Sequence, residues 1–432
     1  MADNLRVLFL SHYFPPEGNA PATRVYAFCR RWVRRQKDPC DVTVITCAPN
    51  VPDGKVYPGY RNRLSSREEI DGIDVIRVWT YLAANAGTVK RIMNFISFML
   101  AASVRAMFLR RPDVVIGTSP QFFNGWAGVI VSRLRRAPFI LEIRDIWPES
   151  IVAVGAMRPG RLVRFLEWLE LRMYAAADHV VTVGEGYRRQ LLEKHVPAER
   201  MTVITNGIDT ERLQPREPDA DLQRRFNPDG RFVCSYVGTV GMAAGLEVVI
   251  RAATVLKERG RHDVRFLIVG DGATREELEK RVHEAEHDDM ITLTGRQPKE
   301  AISAFLSISD CCLVHLRKTG LFETVLPSKI FEAAAMERPV VMGVGGFAAD
   351  LVRDAGCGIC IEPENEIQLV DAIVQLQADP HLRRQLGRQG RESLVARYDV
   401  DRLSEEYLSL IRQVRSDWLD RRCRPFNVSI HS

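Results

Sequence analysis

Four short segments of this 432-residue chain place glycine, proline or charged residues after apolar runs, where chemistry can be held rigidly. In Pro15-Pro-Glu17-Gly18-Asn-Ala-Pro, two prolines stiffen the loop, Gly18 lets a backbone approach a ligand, and Glu17 brings a carboxylate. A tight turn alone would explain the same residues. In Gly238-Thr239-Val-Gly241-Met-Ala-Ala-Gly245, glycines between an apolar run and a helix can turn amides toward a diphosphate. No Gly-Lys-Ser/Thr follows, and the spacing is not that of a dinucleotide fingerprint. In Leu326-Pro327-Ser328-Lys329-Ile-Phe-Glu332, Pro327 is expected as the first helical residue, with Ser328 and Lys329 in the first turn and Glu332 about one turn on. A carboxylate there can accept both hydroxyls of a ribose, and Lys329 can neutralise a diphosphate; the alternative is a helix cap with solvated charges. In Glu142-Ile-Arg144-Asp145-Ile-Trp147-Pro148-Glu149, acid and base crowd the end of an apolar strand, as a site or as a structural ion pair.

The elements that position these loops follow a regular alternation. Apolar, β-branched runs at Val7 to Leu10, Val42 to Thr46, Val75 to Val78, Val114 to Gly117, Phe139 to Ile143 and Val180 to Val183 are separated by amphipathic helical stretches. The pattern restarts at Phe232 to Val237, then Val264 to Val269, Ile291 to Thr294, Cys311 to Leu316, Val340 to Met342 and Ile359 to Ile361. Such alternation predicts an α/β fold of two doubly wound parallel sheets. Ligands bind outside the carboxyl ends of such strands, which is why the four loops matter. Arg296, just after the run Ile291 to Thr294, joins the donor-binding candidates. The polar stretch Thr210 to Gly230 with Pro215, Pro218 and Pro228 is expected to be the interdomain linker.

Composition agrees with a soluble two-domain chain: 46% of residues are hydrophobic, 27% are charged and the net charge is +5. Basic clusters at Arg30, Arg31, Arg34 and Arg35, and at Arg133, Arg135 and Arg136, point to an anionic membrane face or substrate. Nucleic acid is not expected, because no aromatic platform interleaves the basic residues. Nine cysteines without a repeated metal-binding pattern read as reduced core residues of a cytoplasmic protein. The lone Cys357/Cys360 pair reads as buried strand, and no secretory leader is evident at the start. Asn427-Val-Ser resembles a glycosylation sequon by chance. The apolar stretch Ile92 to Leu109, flanked by Lys90, Arg91, Arg110 and Arg111, reads as a helix packed on the sheet or a helix lying on lipid phosphates.

Taken in order, Tyr13-Phe-Pro-Pro-Glu-Gly-Asn-Ala-Pro, Gly117-Thr-Ser-Pro-Gln-Phe-Phe, Arg144-Asp-Ile-Trp-Pro-Glu-Ser-Ile, Thr205-Asn-Gly-Ile-Asp and Leu326-Pro-Ser-Lys-Ile-Phe-Glu resemble the GT-B retaining glycosyltransferases of family four, over nearly the whole chain. Within that family they are most similar to bacterial WbuB-type L-fucosamine transferases of surface polysaccharide. The resemblance implies an acceptor-binding Rossmann-like domain at 1–212 and a nucleotide-sugar-binding one at 228–397, facing a central cleft. It also implies that 398–432 holds a helix packing back on the first domain, then a basic tail. Gly18 and the loop Gly238, Thr239, Gly241 would lie by the donor diphosphate, with Arg296, Pro327, Ser328 and Lys329 alongside. Glu332 would hold the ribose, and Arg144 and Asp145 would face the sugar or acceptor. Asp145, Arg144, Glu17 and Lys329 are the catalytic candidates. Many family members carry basic residues where this chain has Thr239 and Ala244, so Lys329, Arg317 or Lys318 is expected to supply that charge. The usual glutamate pair has seven residues between its members, whereas Glu323 and Glu332 have eight.

The implied partners are a UDP-sugar donor and a polyprenyl-diphosphate-linked saccharide acceptor, in O-antigen or capsule biosynthesis, with peripheral contact at the inner membrane face. The sugar expected is N-acetylated, such as L-FucNAc or GlcNAc. No Asp-x-Asp triad follows a strand, so no metal and no cofactor are expected; fixed cations and amide dipoles would stabilise the leaving diphosphate. The rival activity is a sugar-nucleotide 2-epimerase of the same fold, which would turn over without acceptor. A nucleotide-sugar-binding scaffold would bind and not turn over.

Overall fold

The structure is a computed structural model. It describes residues 4–51, 54–82, 88–119, 122–147 and 160–423, with the backbone alone of Thr88, Val89, Leu321 and Thr324. Pro120, Gln121, Pro148, Glu149, Ser150 and Ile151 of the motifs above, the Asn427 sequon and the expected basic tail from residue 424 lie outside the described residues. The chain divides into two compact units, residues 1–205 with 401–432, and residues 206–400.

Unit 1 holds strands β1 (Leu5–Leu10), β2 (Cys40–Cys47), β3 (Ser65–Ile70), β4 (Ile73–Val78), β5 (Val114–Thr118), β6 (Phe139–Ile143), β7 (His179–Thr182) and β8 (Met201–Val203). Its helices are α1 (Ala20–Arg34), α2 (Thr88–Met107), α3 (Phe122–Arg135), α4 (Arg161–Ala176) and α5 (Glu185–Glu193). The sheet runs β3-β4-β2-β1-β5-β6-β7-β8, and β3 on β4 is its one antiparallel pair. The apolar runs predicted six of these strands. The sequence reading passed over β3, because Ser-Ser-Arg-Glu-Glu-Ile alternates half-buried and exposed residues at a sheet edge, and β8, which has three residues.

Unit 2 holds α6 (Ala220–Phe226), β9 (Phe232–Val237), α7 (Glu247–Glu258), β10 (Val264–Val269), α8 (Arg275–Glu284), β11 (Ile291–Gly295), α9 (Ile302–Ser307), β12 (Cys311–His315), α10 (Lys329–Ala335), β13 (Val340–Gly343), α11 (Gly346–Asp354), β14 (Gly358–Cys360), α12 (Glu366–Ala378) and α13 (Pro380–Tyr398). Its sheet, β11-β10-β9-β12-β13-β14, is parallel throughout. Parallel strands covered on both faces must be apolar along their length, and β9, β12 and β13 are buried at every position. The thiols of Cys357 and Cys360 donate to Val352 O and Ala349 O at this sheet's edge.

The expected linker is instead part of unit 2. Leu213 is buried, Arg212 Nη1 donates to Lys299 O at 2.9 Å, and the Asp219 amide donates to Ser307 Oγ at 3.1 Å. Pro215, Pro218 and Pro228 flank α6 in this packed segment, and the chain leaves unit 1 at Thr205. The last helix, α14 (Val400–Cys423), returns to unit 1: Trp32 Nε1 donates to Ser404 O at 3.1 Å, and the Tyr407 ring stands edge-on to Phe28 and Trp32. Arg31 and Arg35 pair with Asp401 and Glu405 of that helix, and Arg34 with Asp71 at 2.6 Å. Much of that basic cluster therefore serves intramolecular packing, and is not a free anionic-ligand surface.

On α2, Phe98, Ala102 and Ala106 are buried, as are the polar Asn94 and Ser103, while Met93, Leu100 and Val104 are exposed. The helix packs on the sheet with one face and shows apolar residues on the other. No helix of the described residues is long and apolar enough to cross a membrane.

Candidate functional site

In a doubly wound sheet, the strand order reverses where two neighbouring strands send their connections to opposite faces, and the gap between their carboxyl ends takes ligands. In unit 2 the reversal falls between β9 and β12. The loop after β9 starts at Gly238 with φ at 146°, a region that favours glycine. Lys329, the first residue of α10, lies across this glycine: a Cβ built there would stand 2.4 Å from Lys329 Cε and 2.7 Å from Nζ. The ammonium is 4.9 Å from the centroid of Tyr236, whose hydroxyl donates to Thr239 O at 2.8 Å. A cation–π contact thus holds Lys329 over the loop, and no carboxylate ion pair engages it among the described residues.

Arg317 and Lys318, the other cations expected to serve the diphosphate, are committed elsewhere. Arg317 Nη2 pairs with Glu247 at 2.9 Å and its Nε donates to Met242 O at 2.7 Å, while Lys318 Nζ pairs with Glu362 at 3.1 Å. Lys329 is the cation left at the loop. Arg296 is exposed after the edge strand β11, 3.6 Å from Asp271 Oδ2. Thr239 is exposed. A Cβ at Gly241 would meet only Thr239 Cγ2 at an ordinary 3.8 Å, so contact alone does not require glycine there. A 3₁₀ turn, Met242–Ala244, separates Gly241 from α7, whose first turn carries Glu247. That carboxylate already meets the helix dipole, so the expectation of an anion on the α7 amides shifts to the earlier glycines.

Glu332 stands one turn into α10, half-buried, with its amide donating to Ser328 O at 3.2 Å. The helix begins at Lys329, so Pro327 precedes the cap and is not its first residue; Ser328 takes the cap position without a side-chain cap bond. Ser328 is exposed. Lys299 was missed by the sequence reading. Burial, helped by Arg212, lowers its amine to about 8, against the opposing fields of Glu332, Asp209 and Glu300. Glu323 lies in a 3₁₀ turn whose carbonyl backs onto Gly346, so a Cβ there would meet it at 2.2 Å.

Two further features of this strand end carry no periodic signal. Gly270 and Gly272 let the loop after β10 run against the loop after β9: their Cβ positions fall 1.9 Å from Gly238 O and 2.3 Å from Val240 O. His315, at the end of β12, is buried with Nδ1 2.7 Å from Ala244 O and Nε2 accepting the Glu364 amide at 2.8 Å. Burial lowers its pKa, and the neutral ring joins the β9 and β14 loops by one hydrogen bond on each nitrogen.

In unit 1 the reversal falls between β1 and β5. After β1, Gly18 is exposed and a Cβ there would meet nothing within 4 Å, leaving open space at the start of α1. Asn19 caps that helix through Oδ1 to the Ala22 amide at 2.9 Å. Glu17 is placed differently from a solvent-facing acid or base. Its buried carboxylate accepts the Asn50 and Val51 amides at 2.9 and 3.2 Å, tying the β1 loop to the β2 loop, and burial raises its pKa. What the structure shows of this catalytic candidate is loop anchoring, through Oε1 on the two backbone amides.

At the end of β6, Glu142 is fully buried with Arg24, also missed by the sequence reading, at 3.1 Å. Glu142 Oε1 also accepts the Thr118 hydroxyl at 2.8 Å, and Arg24 donates to Ile204 O at 2.6 Å. This acid is structural. The Arg144 and Asp145 amides donate to Ser119 Oγ at 2.7 and 3.3 Å, so the β5 loop shapes the β6 loop. Burial lowers the Arg144 guanidinium to about 10. Tyr187 is pushed up to about 12, by burial first and then by Asp145. His12, held at about 4 by burial, packs edge-on to Tyr13, Phe95 and Phe98.

Comparison with known proteins gives these two strand-end sites their context. Residues 19–207 match the Glycosyl transferase 4-like domain, and residues 219–393 match Glycosyl transferases group 1. The colanic acid biosynthesis glycosyl transferase named WcaI of Escherichia coli is 29% identical over 347 residues, 78% of this chain and 84% of that one. In fold, sucrose-phosphate synthase from Thermosynechococcus elongatus superposes with TM-score 0.73 at 19% identity, covering 96% of this chain and all of the other. HepE of Anabaena in complex with UDP and glucose superposes with TM-score 0.69 at 16% identity, covering 95% of this chain and 100% of that one. With two Rossmann-like units, each matching its own transferase domain, the chain belongs to the GT-B glycosyltransferases of the group 1, glycosyl transferase 4-like family.

Proposed function

We propose that the protein is a retaining, metal-independent transferase. It moves an N-acetylated amino sugar, such as L-FucNAc or GlcNAc, from a UDP donor to a polyprenyl-diphosphate-linked saccharide during bacterial surface-polysaccharide synthesis. The observation that carries this is Lys329, a cation without a carboxylate partner among the described residues, laid across the Gly238 loop at the strand reversal of unit 2. There it can meet the charge that develops on a leaving diphosphate as the anomeric C–O bond breaks. The acceptor hydroxyl attacks from the side the diphosphate leaves, its oxygen bonds to the anomeric carbon, and its proton passes to the departing phosphate oxygen. Glu332 holds the ribose hydroxyls. The UDP and glucose bound by HepE and the colanic acid role named for WcaI support the donor class and the pathway class. The WbuB-type motifs support the fucosamine sugar.

A lipid-linked acceptor would bring the protein to the inner membrane face. On α4, Leu162, Phe165, Trp168 and Leu171 are exposed at three-residue spacing, with Arg161, Arg164 and Arg172 exposed among them. Such a face suits anionic headgroups over an apolar interior. The test is a screen of UDP-sugars against a polyprenyl-diphosphate saccharide, the product's mass and anomeric configuration being read by mass spectrometry and NMR. Transfer with retention, undiminished by EDTA, is the expected result. Inversion, or conversion of the donor without acceptor, would refute the proposal.

A further inference from the structure

Arg144 keeps two buried nitrogens, Nε and Nη1, without any hydrogen-bond acceptor among the described residues. Other arginines with an orphan Nε place their remaining nitrogens well: Arg135 on Met107 O and Leu109 O, Arg265 beside Asp229, Arg338 on Ser307 O. For Arg144, among the described residues, the backbone amide is the group engaged, by Ser119 Oγ at 2.7 Å. Glu142, two residues earlier, is neutralised by Arg24 at 3.1 Å and by the Thr118 hydroxyl at 2.8 Å. Tyr187, the phenol that shares its surroundings, is held neutral. With Asp145 beside it the charges at the end of β6 sum to zero, but two buried guanidinium nitrogens still lack acceptors, and burying such donors unsatisfied is costly unless something completes them.

The surroundings favour an anion. The 14-residue helix α3 starts from the adjoining β5 loop with no acidic residue in its first turn. On the other side α5 starts from Gly184 without a side-chain cap but carries Glu185 in its first turn, so α3 is the helix start open to an anion. Amides at helix starts add positive potential to the planar guanidinium, whose paired N–H groups match two phosphate oxygens. We propose that Arg144 is the centre of a second phosphate site, on unit 1, which takes the phosphoryl group of the acceptor. This rests on the phosphorylated acceptor proposed above, and is separate from the donor diphosphate assigned to Lys329 in unit 2.

The test uses the full chain and inorganic pyrophosphate in a Lys329→Ala background, so that the donor site does not obscure the titration. Pyrophosphate should bind Lys329→Ala and bind at least tenfold more weakly when Arg144→Met is added, with Arg144→Lys intermediate. Without ligand, Arg144→Met should unfold at a higher temperature than the parent, because the two buried donors without acceptors are gone. A structural arginine would show the opposite sign. Unchanged pyrophosphate affinity, or a lowered unfolding temperature with Arg144→Met, overturns the proposal. Phosphatidylglycerol vesicles form the second arm: a loss of pelleting with Arg144→Met at unchanged pyrophosphate affinity would assign the charge to lipid headgroups and overturn it likewise. Titration of wild type with UDP keeps the two readings apart. If UDP does not bind, the donor assignment falls while the pyrophosphate comparison still decides Arg144.

Discussion

Replacing Gly238 by Ala perturbs Lys329 without touching it chemically. The new methyl group would stand 2.4 Å from Lys329 Cε, about 1 Å inside the usual carbon–carbon contact of roughly 3.5 Å. The lysine is flexible, so its ammonium should yield before the sheet does and leave the Tyr236 face. A further cost comes from φ at 146°, which a non-glycine residue adopts at about 1–3 kcal/mol. If Lys329 makes a charge-assisted hydrogen bond to the donor diphosphate, losing it costs about 1.5–3 kcal/mol, or roughly ten- to hundredfold in affinity. UDP affinity measured calorimetrically for wild type, Gly238→Ala, Lys329→Ala and the double variant tests this, with urea unfolding run in parallel. Each single variant should weaken UDP by that factor, and the double should be no weaker than Lys329→Ala within about threefold, because both act through one ammonium. Gly238→Ala should also lose about 1–3 kcal/mol of stability, and Lys329→Ala little. Wild-type UDP affinity in Gly238→Ala beside a large loss in Lys329→Ala would refute the link, as would fully additive losses.

Glu332→Ala should weaken UDP about tenfold by removing the ribose acceptor, at little cost in stability, and equal affinities would reject that role. Breaking the buried pair with Arg24→Met or Glu142→Gln should cost about 3–5 kcal/mol in urea unfolding, while replacing both should recover part of the loss; a single variant as stable as wild type would contradict the pairing. Unfolded histidine takes up a proton near 6.5 whereas folded His12 stays neutral to about 4, so the unfolded state gains protons first as pH falls. Stability should drop through that window by about 1.4 kcal/mol per pH unit from this group, and His12→Phe should remove that slope. The protein should pellet with anionic vesicles at low salt, and Phe165→Ser with Trp168→Ser should reduce pelleting; equal pelleting would remove α4 from the lipid face.

Most strands and the division into two α/β halves were legible from residue type, because a parallel strand buried on both faces has to be apolar over its whole length. Runs such as Phe139 to Ile143 and Phe232 to Val237 coincide with β6 and β9 for that reason. The loops at the strand ends were legible as well, because glycine and charged residues interrupt the apolar runs there, as at Gly238 and Arg144. Edge strand β3 was not, because solvent on one side removes the apolar run.

Partnership was decided only by the tertiary structure. Glu17 and Glu142 look as reactive on paper as Glu332, yet one is spent on two backbone amides and the other on Arg24, 118 residues away. Arg317 and Lys318 are neutralised by Glu247 and Glu362, while Lys329 is left over a glycine. Gly270 matters because the Gly238 carbonyl crosses it, which no spacing within the chain announces. Burial and hydrogen bonding depend on distances through space between residues far apart in the chain, so the choice of which charge is spent and which is free is made only when the sheets assemble.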